Sequence, residues 1–174
     1  DPSYPLTVTK SGSGTGVVNS IIPPTSPSIS CGSTCSTSFV YNTQVTLTAT
    51  PDAGSTFVGW SGACTNTTGN CVVTIDQAKT VNAIFTQQSA SINSFTATTP
   101  VAYNTASTLT WTTSNMSSCG ITADKTVTGF PKTNLNANSN VDTGLLTQDP
   151  TTFTLTCTKN PGTSGNNTAT AVVR

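Results

Sequence analysis

The chemistry open to this chain is narrow. It contains no histidine and no glutamate, and its charged side chains are six aspartates, five lysines and Arg174. Proton transfer near neutral pH is run mostly by His, Glu, Asp and Lys, and two of those four are missing. No Ser-His-Asp or Cys-His arrangement can be assembled. Glycoside hydrolysis normally needs two carboxyls facing one bond, yet Asp1, Asp52, Asp76, Asp124, Asp142 and Asp149 are scattered. Asp52 and Asp76 stand beside turns or strand ends and read as turn and capping residues. The sequence has no acidic calcium loop and no glycine-rich phosphate loop. The expectation is a protein that is not an enzyme and uses no cofactor.

The remaining reactive groups are six cysteines: Cys31, Cys35, Cys64, Cys71, Cys119 and Cys157. So many in a chain with so little charge point to an oxidising compartment. Spacing favours two local disulfides, 31–35 and 64–71, although six cysteines allow 15 pairings. A four-cysteine zinc site is the alternative, but its usual knuckle is narrower than the 64–71 gap. Short loops gain least from a disulfide, so local rigidity is the expected benefit. A Lys–Asn amide cross-link involving Lys10 or Lys79 is a further covalent option.

These groups must sit on strands. Charged residues make up 7% of the chain, far below the roughly 25% of ordinary soluble domains. Thr, Ser and Asn take their place; they disfavour helix interiors, and Thr suits a pleated surface. Val45-Thr46-Leu47-Thr48-Ala49-Thr50 alternates strictly, with apolar residues facing in and threonines out. The same period recurs at Leu6–Thr9, Cys71–Ile75, Thr80–Phe85, Thr108–Thr112, Phe153–Cys157 and Ala169–Val173. No helical period is visible, so the chain reads as all-β. A polar stretch, Thr86-Gln87-Gln88-Ser89-Ala90, separates two strand sets. Two domains are expected, 6–86 and 91–174, each small enough to benefit from disulfide staples. The Asn-rich segment Gly129–Leu146 reads as a loop with a short strand or two.

The first domain resembles the divergent internalin-B-type repeat of bacterial surface and secreted proteins. The resemblance rests on Leu6-Thr7-Val8, Gly14-Thr15-Gly16-Val17-Val18, Cys31-Gly32-Ser33-Thr34-Cys35, Val45–Ala49, Gly54–Cys64 with its Gly59-Trp60-Ser61-Gly62 string, and Lys79–Phe85. It implies a small extracellular β-repeat used as a spacer or adhesive module, with no catalytic residues. The second domain resembles bacterial immunoglobulin-like β-sandwiches. That likeness rests on Ser94–Ala97, Leu109–Asn115 around Trp111, Ser118–Ile121 and Thr152–Thr158. Trp111 precedes both cysteines here, and Leu155 stands where a tyrosine corner would place its tyrosine. A 119–157 disulfide would then join neighbouring strands of one sheet.

The expected function is structural: an extracellular or cell-surface stalk segment, or a surface-fibre subunit. Its expected partners are other copies of the chain or neighbouring surface-protein domains. Zero net charge gives no pull toward nucleic acid or anionic lipid. No apolar run approaches the ~18 residues of a membrane span. Candidate contact residues are Ile21, Ile22 and Ile29 in a Pro-rich loop, which also read as covering their own core, Tyr4 in a tail able to add to another sheet edge, and Trp60. Trp60 also reads as a core residue under a tight turn. The alternative function is a carbohydrate-binding accessory module of a secreted enzyme, stacking sugar on Trp60, Tyr41 or Tyr103. Coplanar exposed aromatics on one surface would favour it.

Overall fold

The computed structural model describes residues 1–21, 27–32, 34–98, 102–148 and 150–173. Ile22 falls outside the described residues. All regular structure in the described residues is β-strand. The chain divides into two compact units, Asp1–Gln88 and Ser89–Arg174.

The first unit has eight strands: β1 (Ser3–Ser11), β2 (Gly16–Ile21), β3 (Ser30–Cys31), β4 (Thr34–Val40), β5 (Gln44–Pro51), β6 (Ser55–Gly62), β7 (Cys71–Thr74) and β8 (Lys79–Gln87). They form two four-stranded sheets, ordered β4-β1-β8-β6 and β3-β2-β5-β7. Period-2 alternation decides which side chains meet between them. Leu6 and Val8 of β1, Val45 and Leu47 of β5, and Val81, Ala83 and Phe85 of β8 are fully buried in one core. That core draws side chains from both sheets, with Phe39, Trp60 and Phe85 its large members.

One turn depends on glycine for a plain steric reason. After β1 the chain folds back against β8, and the Gly14 amide donates to the Phe85 carbonyl at 3.0 Å. Gly12 sits at φ +97°, and a Cβ there would lie 2.0 Å from the Phe85 carbonyl oxygen. No side chain fits that approach.

The second unit has β9 (Ser89–Ala97), β10 (Thr105–Ser114), β11 (Met116–Ala123), β12 (Lys132–Asn136), β13 (Ser139–Leu146), β14 (Thr151–Lys159), β15 (Ser164–Gly165) and β16 (Thr168–Val173). Its sheets are ordered β13-β10-β9-β15 and β12-β11-β14-β16, a β-sandwich. Leu109, Trp111, Ile121, Phe153 and Leu155 fill its core. Trp111 satisfies its indole by donating to the Asn136 carbonyl at 3.1 Å. A register shift in β10 between Ala106 and Thr108 takes Ser107 out of the ladder with β13. The buried Ser107 amide is met by Thr143 Oγ1 at 2.9 Å, and its hydroxyl donates to the Thr98 carbonyl at 2.8 Å. Buried polar groups are retained here because each has a partner.

Two expectations change. The polar stretch 86–90 is not a linker: Thr86 and Gln87 end β8, Ser89 begins β9, and only Gln88 lies between. The segment 129–146, expected as a loop with a short strand or two, holds two strands, the five-residue β12 and the eight-residue β13, which take up most of it. Edge strands need few apolar residues, and both lie at sheet edges.

Gly12→Ala should cost the first unit about 1–3 kcal/mol, the scale of a strained backbone position. Gly32→Ala, where a new Cβ meets nothing within 4 Å, should be close to neutral. Urea unfolding of the two variants checks this; equal midpoints would contradict it.

Candidate functional site: stapled sheets and an exposed face

All six cysteines are paired, as Cys31–Cys35, Cys64–Cys71 and Cys119–Cys157. This leaves no thiolate for a zinc site. The first two disulfides share a placement that spacing does not show. Cys31 lies on β3 and Cys35 on β4, which belong to different sheets. Cys64 follows β6 and Cys71 lies on β7, again in different sheets. Both short disulfides therefore fasten one sheet to the other where the chain crosses. The third does not: Cys119 and Cys157 face each other across the adjacent strands β11 and β14, with Cα atoms 4.0 Å apart.

Trp60 organises the Cys64–Cys71 loop. The register of β6 against β8 shifts between Phe57 and Gly59, which turns Trp60 inward. Its backbone amide donates to the Asn66 carbonyl at 2.8 Å, and its indole donates to the Gly69 carbonyl at 3.0 Å. The Asn66 side-chain amide donates to the Thr68 and Asn70 carbonyls within the same loop. Phe57 packs edge-on against the indole at 5.1 Å. Trp60 is 4% exposed, so it is a core anchor and offers no free contact face.

Other contact candidates separate. Of the two readings open for Ile29, the core one holds: it is 2% exposed. Its carbonyl accepts from the Ser20 amide and its amide donates to Ser20 Oγ, which pins it beside β2. The tail with Tyr4 is corrected. Ser3, Tyr4 and Pro5 already pair with Val40, Phe39 and Ser38 of β4, so this segment is not available to a neighbour's sheet. Tyr4 is half-buried and meets Tyr41 edge-on, with ring centroids 6.4 Å apart and planes at 66°. These two rings form no flat sugar platform. Tyr103, 79% exposed, belongs to the second unit.

Ile21 is 59% exposed. It pairs with Thr46 of β5, which in turn pairs with Val72 of β7. Ile21, Thr46 and Val72 thus form one row across three strands on the outer face of their sheet. Val72 is not among the contact candidates that composition suggests, though the parity of Cys71, Val73 and Ile75 implies that it points outward.

Three of the carboxylates, those of Asp76, Asp124 and Asp142, have local partners. Asp124 Oδ1 accepts from the Thr152 amide at 2.8 Å, and Asp142 Oδ1 from the Gly144 amide at 2.6 Å. Asp52 joins a turn through its backbone, accepting from the Ser55 amide. Lys79 Nζ donates to Asp76 at 2.8 Å, and that hydrogen bond, with the charge behind it, holds the Asp76 carboxyl below its ordinary range. Such a surface pair adds little stability. Lys10 Nζ donates to the Gly16 carbonyl at 2.6 Å, so both lysines considered for an amide cross-link have other partners. In the second unit an open hollow of about 300 Å³ lies between β11 and the 125–131 segment. Lys125 donates to the Pro150 carbonyl beside it, and Lys132 Nζ stands 5.7 Å from the Phe130 ring centre.

Residues 4–89 match the family of the divergent InlB B-repeat domain. No curated protein and no solved structure matches the chain.

The two disulfide types should differ in strength. Cys119 and Cys157 are 38 residues apart, while Cys31 and Cys35 are four apart. Loop-closure entropy then gives about 4 kcal/mol for the first and about 2 kcal/mol for the second. Double serine variants of each pair, unfolded in urea with amide NMR reporting on each unit, should show that order. The reverse order would contradict it.

Proposed function

We propose that this chain is a non-catalytic structural module of an extracellular bacterial protein, serving as a stalk segment or as a subunit of a surface fibre. The match of residues 4–89 to the InlB B-repeat carries the reading, because repeats of this type are bacterial surface or extracellular modules. Full pairing of the cysteines supports it, since structural disulfides persist in oxidising surroundings. The second unit supports it as an immunoglobulin-like spacer. Its first, second and fifth strands, β9, β10 and β13, share one sheet, and β11, β12, β14 and β16 share the other. That division follows the A-B-E against C-F-G split of such sandwiches, with the fourth strand β12 on the C-F-G side and the short β15 beside β9.

The partners in this reading are further copies of the chain or adjoining surface domains. Twelve formal charges in 174 residues weaken repulsion between neighbours. The exposed row through Ile21, Thr46 and Val72 gives a Thr-rich face with apolar points for contact.

Intact source cells treated with a membrane-impermeant amine reagent should yield labelled protein, and electron microscopy of the released material should show elongated particles or filaments. Labelling only after lysis would contradict the surface location. Compact monomers at high concentration would contradict the fibre role.

A further inference from the structure

The first and last strands of the first unit, β1 and β8, lie side by side and run parallel. Leu6 faces Lys79, and the register continues without a shift to Ser11 opposite Ile84. Both are interior strands, with β4 outside β1 and β6 outside β8. Because the pair is parallel, Ser3 and Gln87 lie at opposite ends of it. A pull on the two ends of the unit must slide β1 past β8. The inter-strand hydrogen bonds run across that direction and resist together. Peeling would break them one after another.

We propose that the first unit is a force-resisting module whose strength resides in the β1–β8 pair. This deepens the reading of the chain as a surface stalk and rests on it for the presence of a load. Side chains reinforce the pair on its outer face. Thr9 Oγ1 donates to Asn82 Oδ1 at 3.0 Å, tying β1 to β8. The Asn82 amide donates to Ser11 Oγ at 2.9 Å and to Ser61 Oγ at 3.3 Å, so one side chain links β1, β8 and β6. The turn after β1 extends the grip, as the Gly14 amide holds the Phe85 carbonyl and Ser13 Oγ accepts from the Gln87 amide at 3.1 Å. On the inner face Leu6, Val8, Val81 and Phe85 are fully buried, which keeps water from entering on that side.

The second unit lacks this arrangement. Its terminal strands β9 and β16 belong to different sheets, and among the described residues β9 has a parallel partner only over Ser89–Ala90, in the two-residue β15. Under the same pull it yields first.

Single-molecule pulling on the full chain through handles at residues 1 and 174 tests this, because the disulfides label each event. Reduction frees four and seven residue steps in the first unit and 38 in the second. At about 3.6 Å per residue, less the span each disulfide already bridges, the first unit's event lengthens by about 30 Å and the second's by about 130 Å. The event with the short increment should occur at the higher force. Handles at residues 1 and 78, which sit at the same end of the pair, peel β1 from β8 and should rupture the first unit at a clearly lower force. Asn82→Ala, shown to be folded by circular dichroism, should lower the end-to-end force of the first unit alone. Equal forces in the two attachments, a first unit weaker than the second, or an unchanged Asn82→Ala force would overturn the proposal. Strength measured this way does not depend on location. A cytosolic protein would sink the surface reading and leave this result standing, while a weak first unit on a labelled surface protein would do the reverse.

Discussion

The first unit depends on the pairing of β1 with β8. This contact joins residues 6–11 to 79–84, nearly the full length of the unit, and its closure entropy is correspondingly large. Between these strands the chain passes repeatedly from one sheet to the other, and among the described strands β2 to β3 is the only step that stays within a sheet. Such a fold has few purely local contacts to fall back on. Two of its crossings are fastened by disulfides, and a third, the turn from β1 to β2, is closed by glycines set against the backbone of β8. The Trp60 indole and amide dock the loop at one of those disulfides. The staples, the glycines and the tryptophan all hold the two sheets around the terminal pair.

The second unit answers the same problem differently. Its disulfide lies within one sheet and encloses a long stretch of chain, so it constrains the unfolded state more than it braces the sandwich. Contact across the core comes from packing around Trp111 and Phe153. The register shift at Ser107, with Thr143 meeting the displaced amide, fixes the pairing of β10 with β13. Two modules of similar size thus reach stability with cysteine pairs that act in distinct ways.

Alternation made much of this legible in advance. Val45–Thr50, Thr80–Phe85 and Phe153–Cys157 carry enough apolar residues for parity to give the inward face. The same rule failed at Lys132–Asn136, where Asn and Thr at a sheet edge leave no contrast to read. It also says nothing about partners: no feature of Leu6–Val8 announces that it runs parallel to Lys79–Phe85. The prolines and serines around Ile29 leave its side undecided between core and contact, and two hydrogen bonds to Ser20 turn it into the core. The part of Asn82 is invisible in sequence, since it needs three strands to be adjacent before its amide has anything to join.

Native-state hydrogen exchange tests the central claim most directly. If the β1–β8 pair closes the first unit, the amides of Val8, Val81 and Ala83 exchange only through global unfolding, and their protection equals the unit's full unfolding free energy. If β1 or β8 instead opens by itself, these amides exchange well before those of Val18 and Leu47 in the other sheet, and the account is contradicted.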